Sequence, residues 1–222
     1  MTIGIIVAME KELNLILPLL NGHNKEMRNN TTFHTGTVNG NLIAVMQCGI
    51  GKVNAAVGAT TLIDAFNPNL VINTGVAAGA GDDVAVMDIV IADRVAHHDF
   101  WCIGEEWGQI PGCPRFFDTE ALDIDLSDAH IKKGLVASGD MFITNKEQID
   151  SIRSHYPDVM AVDMESAAIA QVCNMRGVPF ICMRVISDTP WCSHDNSRQY
   201  ENFWEDAPRH SFDLVHRLLN CI

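Results

Sequence analysis

Short apolar runs alternate with segments of helical apolar spacing along most of this chain. The runs predict β-strands over Thr2–Val7, Thr31–Val38, Asn41–Cys48, Asn69–Asn73, Met87–Val95, Gly134–Ser138 and Pro179–Ser187. The helical spacing predicts α-helices over Glu10–Leu20, Val53–Phe66, Asn145–His155, Asp163–Arg176 and Tyr200–Asn220. Pro18 and Pro208 are expected to distort or end the first and the last helix. The dipeptide Asn39-Gly40 predicts a tight hairpin between two strands.

This alternation of strands and helices predicts an α/β fold. We expect a single-domain, three-layer sandwich over residues 1–222, in which a central mixed twisted β-sheet is flanked by helices. The chain has neither an internal repeat nor a linker-like change in composition. The segment His97–Phe117, with glycines and prolines near its end, is expected to be long and irregular.

Composition narrows the class of protein. The 222 residues carry 15 Lys and Arg against 28 Asp and Glu, a net charge of −13, which argues against a sequence-independent nucleic-acid binder. The seven cysteines form no CxxC pair and the histidines are scattered, so we expect reduced cytoplasmic thiols, no metal and no other cofactor. We expect the apolar run near residue 1 to be a strand rather than a signal peptide, and no apolar run reaches the roughly 18–20 residues of a membrane span.

Carboxylates follow three of the predicted strands. Glu10 and Glu12 follow the first strand, Asp140 follows Gly134–Ser138, and Asp188 comes directly after Ser187. Ligands of α/β sheets gather beyond the carboxyl ends of the strands, so we expect these acids on one rim. Acids with few cations nearby indicate proton transfer and hydroxyl recognition rather than phosphate binding. Each also has a structural interpretation, since Glu10 and Glu12 favour a helix N-terminus and Asp188 suits a turn.

Two further acids, Asp163 and Glu165, lie in the apolar, small-residue segment Ala161–Ala170. Buried carboxylates are costly unless something binds them. Either the two acids favour a helix start, or they grip neighbouring hydroxyls such as a ribose diol. Together with the other strand ends, the segment predicts Asp163 at the helix entry and Glu165 as the sugar ligand. The Gly/Ala segment 75–81 lacks both standard phosphate-loop patterns and is expected to be a tight turn.

Six motifs stand in the order and near the spacing of one enzyme family. They are GIIVAMEKE (4–12), GIGKVNAA (49–56), NTGVAAG (73–79), SGDMFI (138–143), VDMES (162–166) and RVISD (184–188), with GQIPGCP (108–114) as a further match. The chain resembles the 5′-methylthioadenosine/S-adenosylhomocysteine nucleosidases over essentially its whole length. The resemblance implies a nucleoside phosphorylase-like fold and cleavage of the N-glycosidic bond of methylthioadenosine, S-adenosylhomocysteine and 5′-deoxyadenosine, in methionine salvage and methyl-cycle recycling.

The resemblance also implies a role for each matched residue. Glu12 would be the base that activates water, and Asp188 would hold the adenine and deliver or relay a proton to N7. Glu165 would accept hydrogen bonds from the 2′- and 3′-hydroxyls, and Arg184 would be a cation near Glu12 that positions the water. Further substrate contacts would come from Met9, Val76, Ala77, Gly79, Phe142, Ile143, Met164 and Ser187, and the alkylthio pocket from Ile50, Ile103, Pro111 and Tyr200.

Three departures from the family pattern bear on the fit of the 5′ substituent. Val76 stands where a small hydroxyl residue is frequent, and Tyr200 stands where Phe is frequent. The loop Phe100–Trp107 is shorter than in the family and places Ile103 and Glu105 at positions where aromatic residues are common.

Three other functions stay open at this point. A phosphorylase of the same fold would need several cations around a phosphate, and only Arg184 can be placed there. A hydrolase for another 5′ group, such as futalosine, would use the same machinery. A non-catalytic nucleoside-binding module would need neither Glu12 nor Asp188. The aromatic residues of Phe100–Pro114 in an otherwise charged chain predict a homodimer.

Overall fold

The computed structural model describes residues 1–28, 30–121, 130–192, 196–206, 217 and 219. Its strands are β1 (Thr2–Val7), β2 (Asn21–Arg28), β3 (Thr31–Val38), β4 (Asn41–Gln47), β5 (Leu70–Gly79), β6 (Ile89–His97), β7 (Phe117–Asp118), β8 (Ile131–Ser138), β9 (Val159–Asp163) and β10 (Phe180–Asp188). Its helices are α1 (Glu10–Ile16), α2 (Lys52–Phe66), α3 (Lys146–His155), α4 (Ser166–Arg176) and α5 (Asn196–Asp206), with a 3₁₀ turn over Leu17–Leu19.

The strands form one mixed sheet in the order β10-β6-β8-β9-β5-β1-β4-β3-β2. Strand β10 also pairs with β5 in parallel, so the pairings of β5, β10, β6, β8 and β9 close on themselves. The remaining strands extend from β5 as an open arm that ends in the β2–β3–β4 meander. This confirms the predicted α/β class with a central mixed sheet flanked by helices.

The core explains why the central strands are apolar throughout. Every residue of β10 is buried, and Ile3, Ile5 and Ile6 of β1 are fully buried, because helices or strands cover both faces. Helix α2 packs closely with small residues. A Cβ on Gly58 would lie 2.6 Å from Cβ of Cys48, so glycine permits this approach. The two charged side chains of β10, Arg184 and Asp188, are therefore buried.

Several predicted elements match closely. The hairpin at Asn39-Gly40 is confirmed, with φ of 48° and 81°, as a two-residue turn of left-handed residues requires. Helix α3 begins directly after Asn145, whose side chain accepts a hydrogen bond from the Gln148 N–H at 3.0 Å. As expected, Pro18 falls where the first helix ends, within the 3₁₀ turn that follows α1.

Two predictions, for residues 75–81 and for Asp163, were wrong. The Gly/Ala segment predicted as a turn is strand as far as Gly79, because β10 pairs with it as far as Ala78, with a register shift between Ile186 and Asp188. Asp163 does not begin a helix. It ends β9, and α4 begins at Ser166. A neighbouring strand distant in sequence supplies the hydrogen bonds in both cases, and local patterns do not reveal such partners.

Strands β2, β7 and β9 were not predicted. β2 is a polar, mostly exposed edge strand, which lacks the alternation of a half-buried strand. The last helix was predicted to begin at Tyr200 but begins at Asn196. Its predicted break at Pro208 lies outside the described residues. No helix in the described part of the chain has the length and apolar character that crossing a membrane requires.

Candidate active site

A pocket opens beside the ends of the central strands. Residues at or just after the C-terminal ends of β1, β4, β5, β8, β9 and β10 line it, joined by one residue of α1 and one of α5. The lining consists of Ala8, Met9, Glu12, Ile50, Val76, Ala77, Ala78, Met141, Phe142, Ile143, Val162, Asp163, Met164, Glu165, Ser187, Asp188 and Tyr200. The strand-end argument made from the sequence therefore gave the position of this pocket.

Most of the predicted site residues meet in this pocket, and four do not line it. Gly79 faces Ile186 and Thr189 instead, and Arg184 is buried beneath the pocket. Ile103 is 83% exposed and Pro111 is also exposed, on the loop after β6. The lining residues that sequence reasoning did not select are Ala8, Ala78, Met141, Val162 and Asp163. All of them lie within the matched motifs, so the motifs are the sequence signal that could have identified these residues as pocket lining.

Backbone amides hold Glu12 at one end of the pocket, which we call the Glu12 end and which comprises Glu12, Glu165 and the underlying Arg184. One carboxylate oxygen of Glu12 accepts hydrogen bonds from the N–H groups of Ala8 at 2.9 Å and Met9 at 3.0 Å. The other accepts from the Val76 N–H at 3.0 Å. Burial raises the pKa of Glu12, while the Arg184 charge and these three N–H groups oppose that rise.

A glycine makes room for this arrangement. A Cβ on Gly75 would lie 2.5 Å from Oε1 of Glu12 and 2.5 Å from Nη1 of Arg184. Any side chain there would push the carboxylate and the guanidinium out of position. Gly75, the first glycine of the NTGVAAG motif, is thus needed for the close approach of two charged groups to the strand.

Arg184 is the counter-ion of Asp163. Its Nη2 lies 2.5 Å from Oδ2 of Asp163 and donates to Oδ1 of Asn73 at 2.5 Å. Its Nε donates to the Ser166 hydroxyl at 3.1 Å. The guanidinium thus donates its hydrogen bonds to buried groups around the start of α4. It also lies close to Glu165, whose Oε2 is 4.0 Å from Nη2 of Arg184.

Asp163 and Glu165 have different hydrogen-bond partners. The backbone N–H of Ser166 donates to Oδ2 of Asp163 at 3.2 Å, and the hydroxyls of Ser138 and Ser166 donate to the same carboxylate. Asp163 thus ends β9 and accepts a hydrogen bond from the N–H group of the first residue of α4, and its pairing with Arg184 was not predicted. Glu165 accepts only the Gly51 N–H at 2.9 Å among the hydrogen bonds of the described residues. Burial, and then the charge of Asp163, raise the pKa of Glu165 to about 7.

Side chains hold the acid in a second part of the pocket, which we call the Asp188 end and which comprises Asp188, Phe142 and Ile143. The Ser187 hydroxyl donates to Oδ1 of Asp188 at 2.7 Å, and the Asn196 amide donates to Oδ2 at 2.9 Å. Burial raises the pKa of Asp188, and these two donors oppose the rise.

An aromatic pair, Phe142 and Tyr200, lines the pocket. Phe142 is 45% exposed, and its ring meets that of Tyr200 edge to face with centroids 5.5 Å apart. The hydroxyl of Tyr200 donates to the sulfur of Met9 at 3.3 Å. This contact joins α5 to the segment that precedes Glu12.

The arrangement suits acid–base chemistry on a ligand with both apolar and hydroxyl parts. Glu12, Glu165 and Asp188 line the pocket, and its described lining contains neither Lys nor Arg. Met9, Met141, Phe142 and Met164 supply an apolar wall. Among the described residues, no group of three or more His, Cys, Asp or Glu side chains is arranged to hold a metal ion.

Comparisons with known proteins agree over the whole chain. The family model of the Phosphorylase superfamily matches residues 2–220. A 5′-methylthioadenosine/S-adenosylhomocysteine nucleosidase of Maridesulfovibrio salexigens is 42% identical over 229 residues, covering 99% of each chain. The nucleosidase of Anoxybacillus flavithermus is 39% identical over 230 residues, covering 99% of this chain and 98% of the relative.

The fold comparison points the same way. The structure of the 5′-methylthioadenosine/S-adenosylhomocysteine nucleosidase from S. pneumoniae with the transition-state inhibitor MT-ImmA has a TM-score of 0.94 and 33% identity, covering 100% of this chain and 99% of that one. Sequence and fold agree over the same residues. The chain belongs to the 5′-methylthioadenosine/S-adenosylhomocysteine nucleosidase family of the Phosphorylase superfamily.

Proposed function

We propose that this protein hydrolyses the N-glycosidic bond of 5′-methylthioadenosine and S-adenosylhomocysteine, and also of 5′-deoxyadenosine, releasing adenine. The observation that carries the proposal is the pocket itself. Four buried carboxylates line one cavity whose described lining has no cationic side chain. Asp163 is paired with the underlying Arg184, so Glu12, Glu165 and Asp188 are left to act on a ligand. Water, not phosphate, is the acceptor that such a cavity accommodates, because bound phosphate calls for several positive donors.

Glu12 is the general base of the proposed reaction. It takes a proton from the attacking water, and its buried position raises its pKa and hence its basicity. Three backbone N–H groups fix its direction. The charge of Arg184 keeps Glu12 ionised and therefore able to accept the proton.

Asp188 is the proposed acid at the leaving group. Burial favours its protonated form, which delivers or relays a proton to N7 of adenine as the glycosidic bond breaks. Phe142 stacks on the purine, and the backbone of Ile143 reads the edge of the base. Ser187 supports Asp188 through its hydroxyl.

Glu165 binds the 2′- and 3′-hydroxyls of the ribose, and its negative charge stabilises the positive charge that develops on the sugar. Met9 and Met164 pack on the sugar, beside Val76 and Ala77. Arg184 acts from beneath through Glu12, and Gly79 supports the strand that carries the pocket wall. Ile50, Tyr200, Ile103 and Pro111 are proposed for the alkylthio group, the last two from the exposed loop after β6.

The test is adenine release measured with and without phosphate. We expect adenine from methylthioadenosine at the same rate in both conditions, and free 5-methylthioribose rather than its 1-phosphate as the second product. A strict phosphate requirement would make the protein a phosphorylase. Release of hypoxanthine from futalosine, with methylthioadenosine left intact, would assign a different 5′ group.

We further propose a cytoplasmic, single-domain homodimer that acts in methionine salvage and methyl-cycle recycling. The support for a dimer is a set of exposed apolar side chains in the pocket lining, on α2 and on the loop after β6. They are Ile50, Val53, Val57, Trp101, Ile103, Met141 and Phe142. Sedimentation as a monomer at micromolar concentration would contradict it.

A further inference from the structure

One buried side-chain amide contacts two residues of the Asp188 end, Asp188 and Ile143. Asn196, the first residue of α5, is 3% exposed. Its Nδ2 donates to Oδ2 of Asp188 at 2.9 Å and to the backbone oxygen of Ile143 at 2.9 Å. An amide nitrogen has two N–H groups, so both are used. The acceptor at Ile143 is a carbonyl, which requires that the nitrogen rather than the oxygen of the amide faces this side.

The rest of α5 continues the same attachment. The side chain of Gln199, one turn further on, accepts a hydrogen bond from the Thr189 N–H at 3.0 Å. Tyr200 lines the pocket, and Phe203 is buried. These positions share a helix face with Asn196, whereas Asn202 is exposed on the same helix. The helix is thus bonded to the segment that carries Asp188 at two successive turns.

We infer that Asn196 is a positioning residue for the hydrolysis, which fixes the Asp188 carboxyl against the Ile143 backbone and makes the proton donor depend on the docking of α5. This inference rests on the proposed role of Asp188 as the acid. No motif of the family resemblance includes Asn196, which stands in the polar stretch after the RVISD motif.

The amide has two effects that work in opposite directions. It orients the carboxyl, which favours proton transfer to the base. It also donates to the carboxylate, which stabilises the ionised form that cannot deliver a proton. Removal of the amide should therefore lower turnover and, at the same time, extend activity toward higher pH. A residue that merely supports the fold would lower activity without moving the pH profile.

The experiment measures the pH dependence of kcat/KM for adenine release from methylthioadenosine. Asn196→Leu has a similar size and no donor, and we expect kcat to fall by about tenfold while the alkaline limb moves up by about one pH unit. Asn196→Asp places a second carboxyl beside Asp188 and should move the limb further upward. Asn202→Ala is the matched control from the same helix and should leave both quantities unchanged.

Each outcome decides the inference. An alkaline limb that stays in place in both Asn196 variants, or an unchanged kcat, overturns the positioning role. If Asn196→Leu fails to fold, Asn196→Ser keeps a good helix-start residue that is too short to bridge both acceptors and gives the same two readouts. Adenine release by the wild type and by Asn202→Ala tests the proposed function separately, because that release does not depend on how Asn196 acts.

Discussion

The two ends of the pocket hold their acids by different means. At the Glu12 end, backbone N–H groups from the segment between β1 and α1 and from β5 fix the carboxylate, and Arg184 supplies charge from the core. At the Asp188 end, the donors are the side chains of Ser187 and Asn196, one of them on α5. The first arrangement is built into the sheet, while the second depends on a helix that lies against it.

This difference bears on how each end tolerates change. Every substitution except proline keeps the backbone N–H donors, so the direction of Glu12 depends mainly on the fold. Side-chain donors can be removed one at a time, so the direction and acidity of Asp188 can be tuned by single residues. The Glu12 end is therefore expected to resist mild substitutions, and its charges to be costly to disturb.

The largest effects are expected on turnover. Glu12→Gln removes the base and Asp188→Asn removes the acid, and each should lower kcat for adenine release by about 10²–10⁴-fold. The two variants should differ in stability. A glutamine has one acceptor oxygen for three N–H groups, so Glu12→Gln leaves a buried donor unpaired at a cost of about 1–3 kcal/mol. Asp188→Asn keeps hydrogen bonds to both partners and should cost less.

Adenine release by each purified variant, together with its urea denaturation curve, provides the measurement. Near-normal turnover in either variant would remove that residue from the mechanism. Equal loss of stability in both would contradict the contrast between the two ends.

The next largest effect concerns the buried ion pair. Arg184→Met leaves Asp163 charged and unpaired in the core, and we expect the free energy of unfolding to fall by about 3–5 kcal/mol. Arg176→Met is the matched control, because Arg176 pairs with Asp64 at 2.8 Å on the surface and its loss should cost less than about 1 kcal/mol. Similar losses in the two variants, measured by urea denaturation, would mean that the Asp163–Arg184 pair is not a structural element of the Glu12 end.

Local patterns predicted the strand ends and therefore most of the pocket lining, because a strand followed by an acid is visible in a single stretch of sequence. Glu12 and Asp188 were selected in this way, whereas Glu165 was selected as an acid in an apolar, small-residue segment that was predicted to begin a helix. The hairpin at Asn39-Gly40 was equally local. Partnerships between distant segments were not accessible, and these include the pairing of Asp163 with Arg184 and the extension of β5 along β10.

Asn196 shows the same limit at the level of one residue. A lone asparagine in a polar stretch has many ordinary uses, such as turns and helix starts. Its importance comes from where α5 lies against β10 and from the carbonyl of Ile143, neither of which the sequence reveals. The helix was predicted to start at Tyr200, which placed Asn196 outside any element.

A third effect follows from the pKa of Glu165, which is raised from 4.5 to about 7. The folded protein then binds a proton that the unfolded chain has lost between these values, so the contribution of Glu165 to stability falls as pH rises from 4.5 to 7. Glu165→Gln removes this loss. We expect the variant to match the wild type near pH 5 and to be more stable by about 1–3 kcal/mol near pH 8.

Melting temperatures of the two proteins across this pH range test the expectation. Glu147→Gln, at an exposed position of α3, is the control and should show no such trend between pH 5 and pH 8. A stability difference that does not grow with pH would show that Glu165 is ionised at little cost. The Glu12 end would then accommodate two negative charges, on Glu12 and Glu165, at as little cost as the Asp188 end accommodates one.

The smallest effect tests whether exposed charges support the Glu12 end. Lys52 begins α2 next to Gly51, whose N–H holds Glu165, and its Nζ lies 2.5 Å from Asp99 and 3.9 Å from Asp140. Lys52→Met should raise KM by about two- to fivefold with little change in kcat, since partly exposed ion pairs contribute about 0.2–1 kcal/mol. Lys146→Met removes the exposed pair with Asp150 on α3 and should leave KM unchanged. An unchanged KM in Lys52→Met would show that the Gly51 N–H positions Glu165 without help from the Lys52 ion pairs. Backbone N–H groups would then position both acids of the Glu12 end.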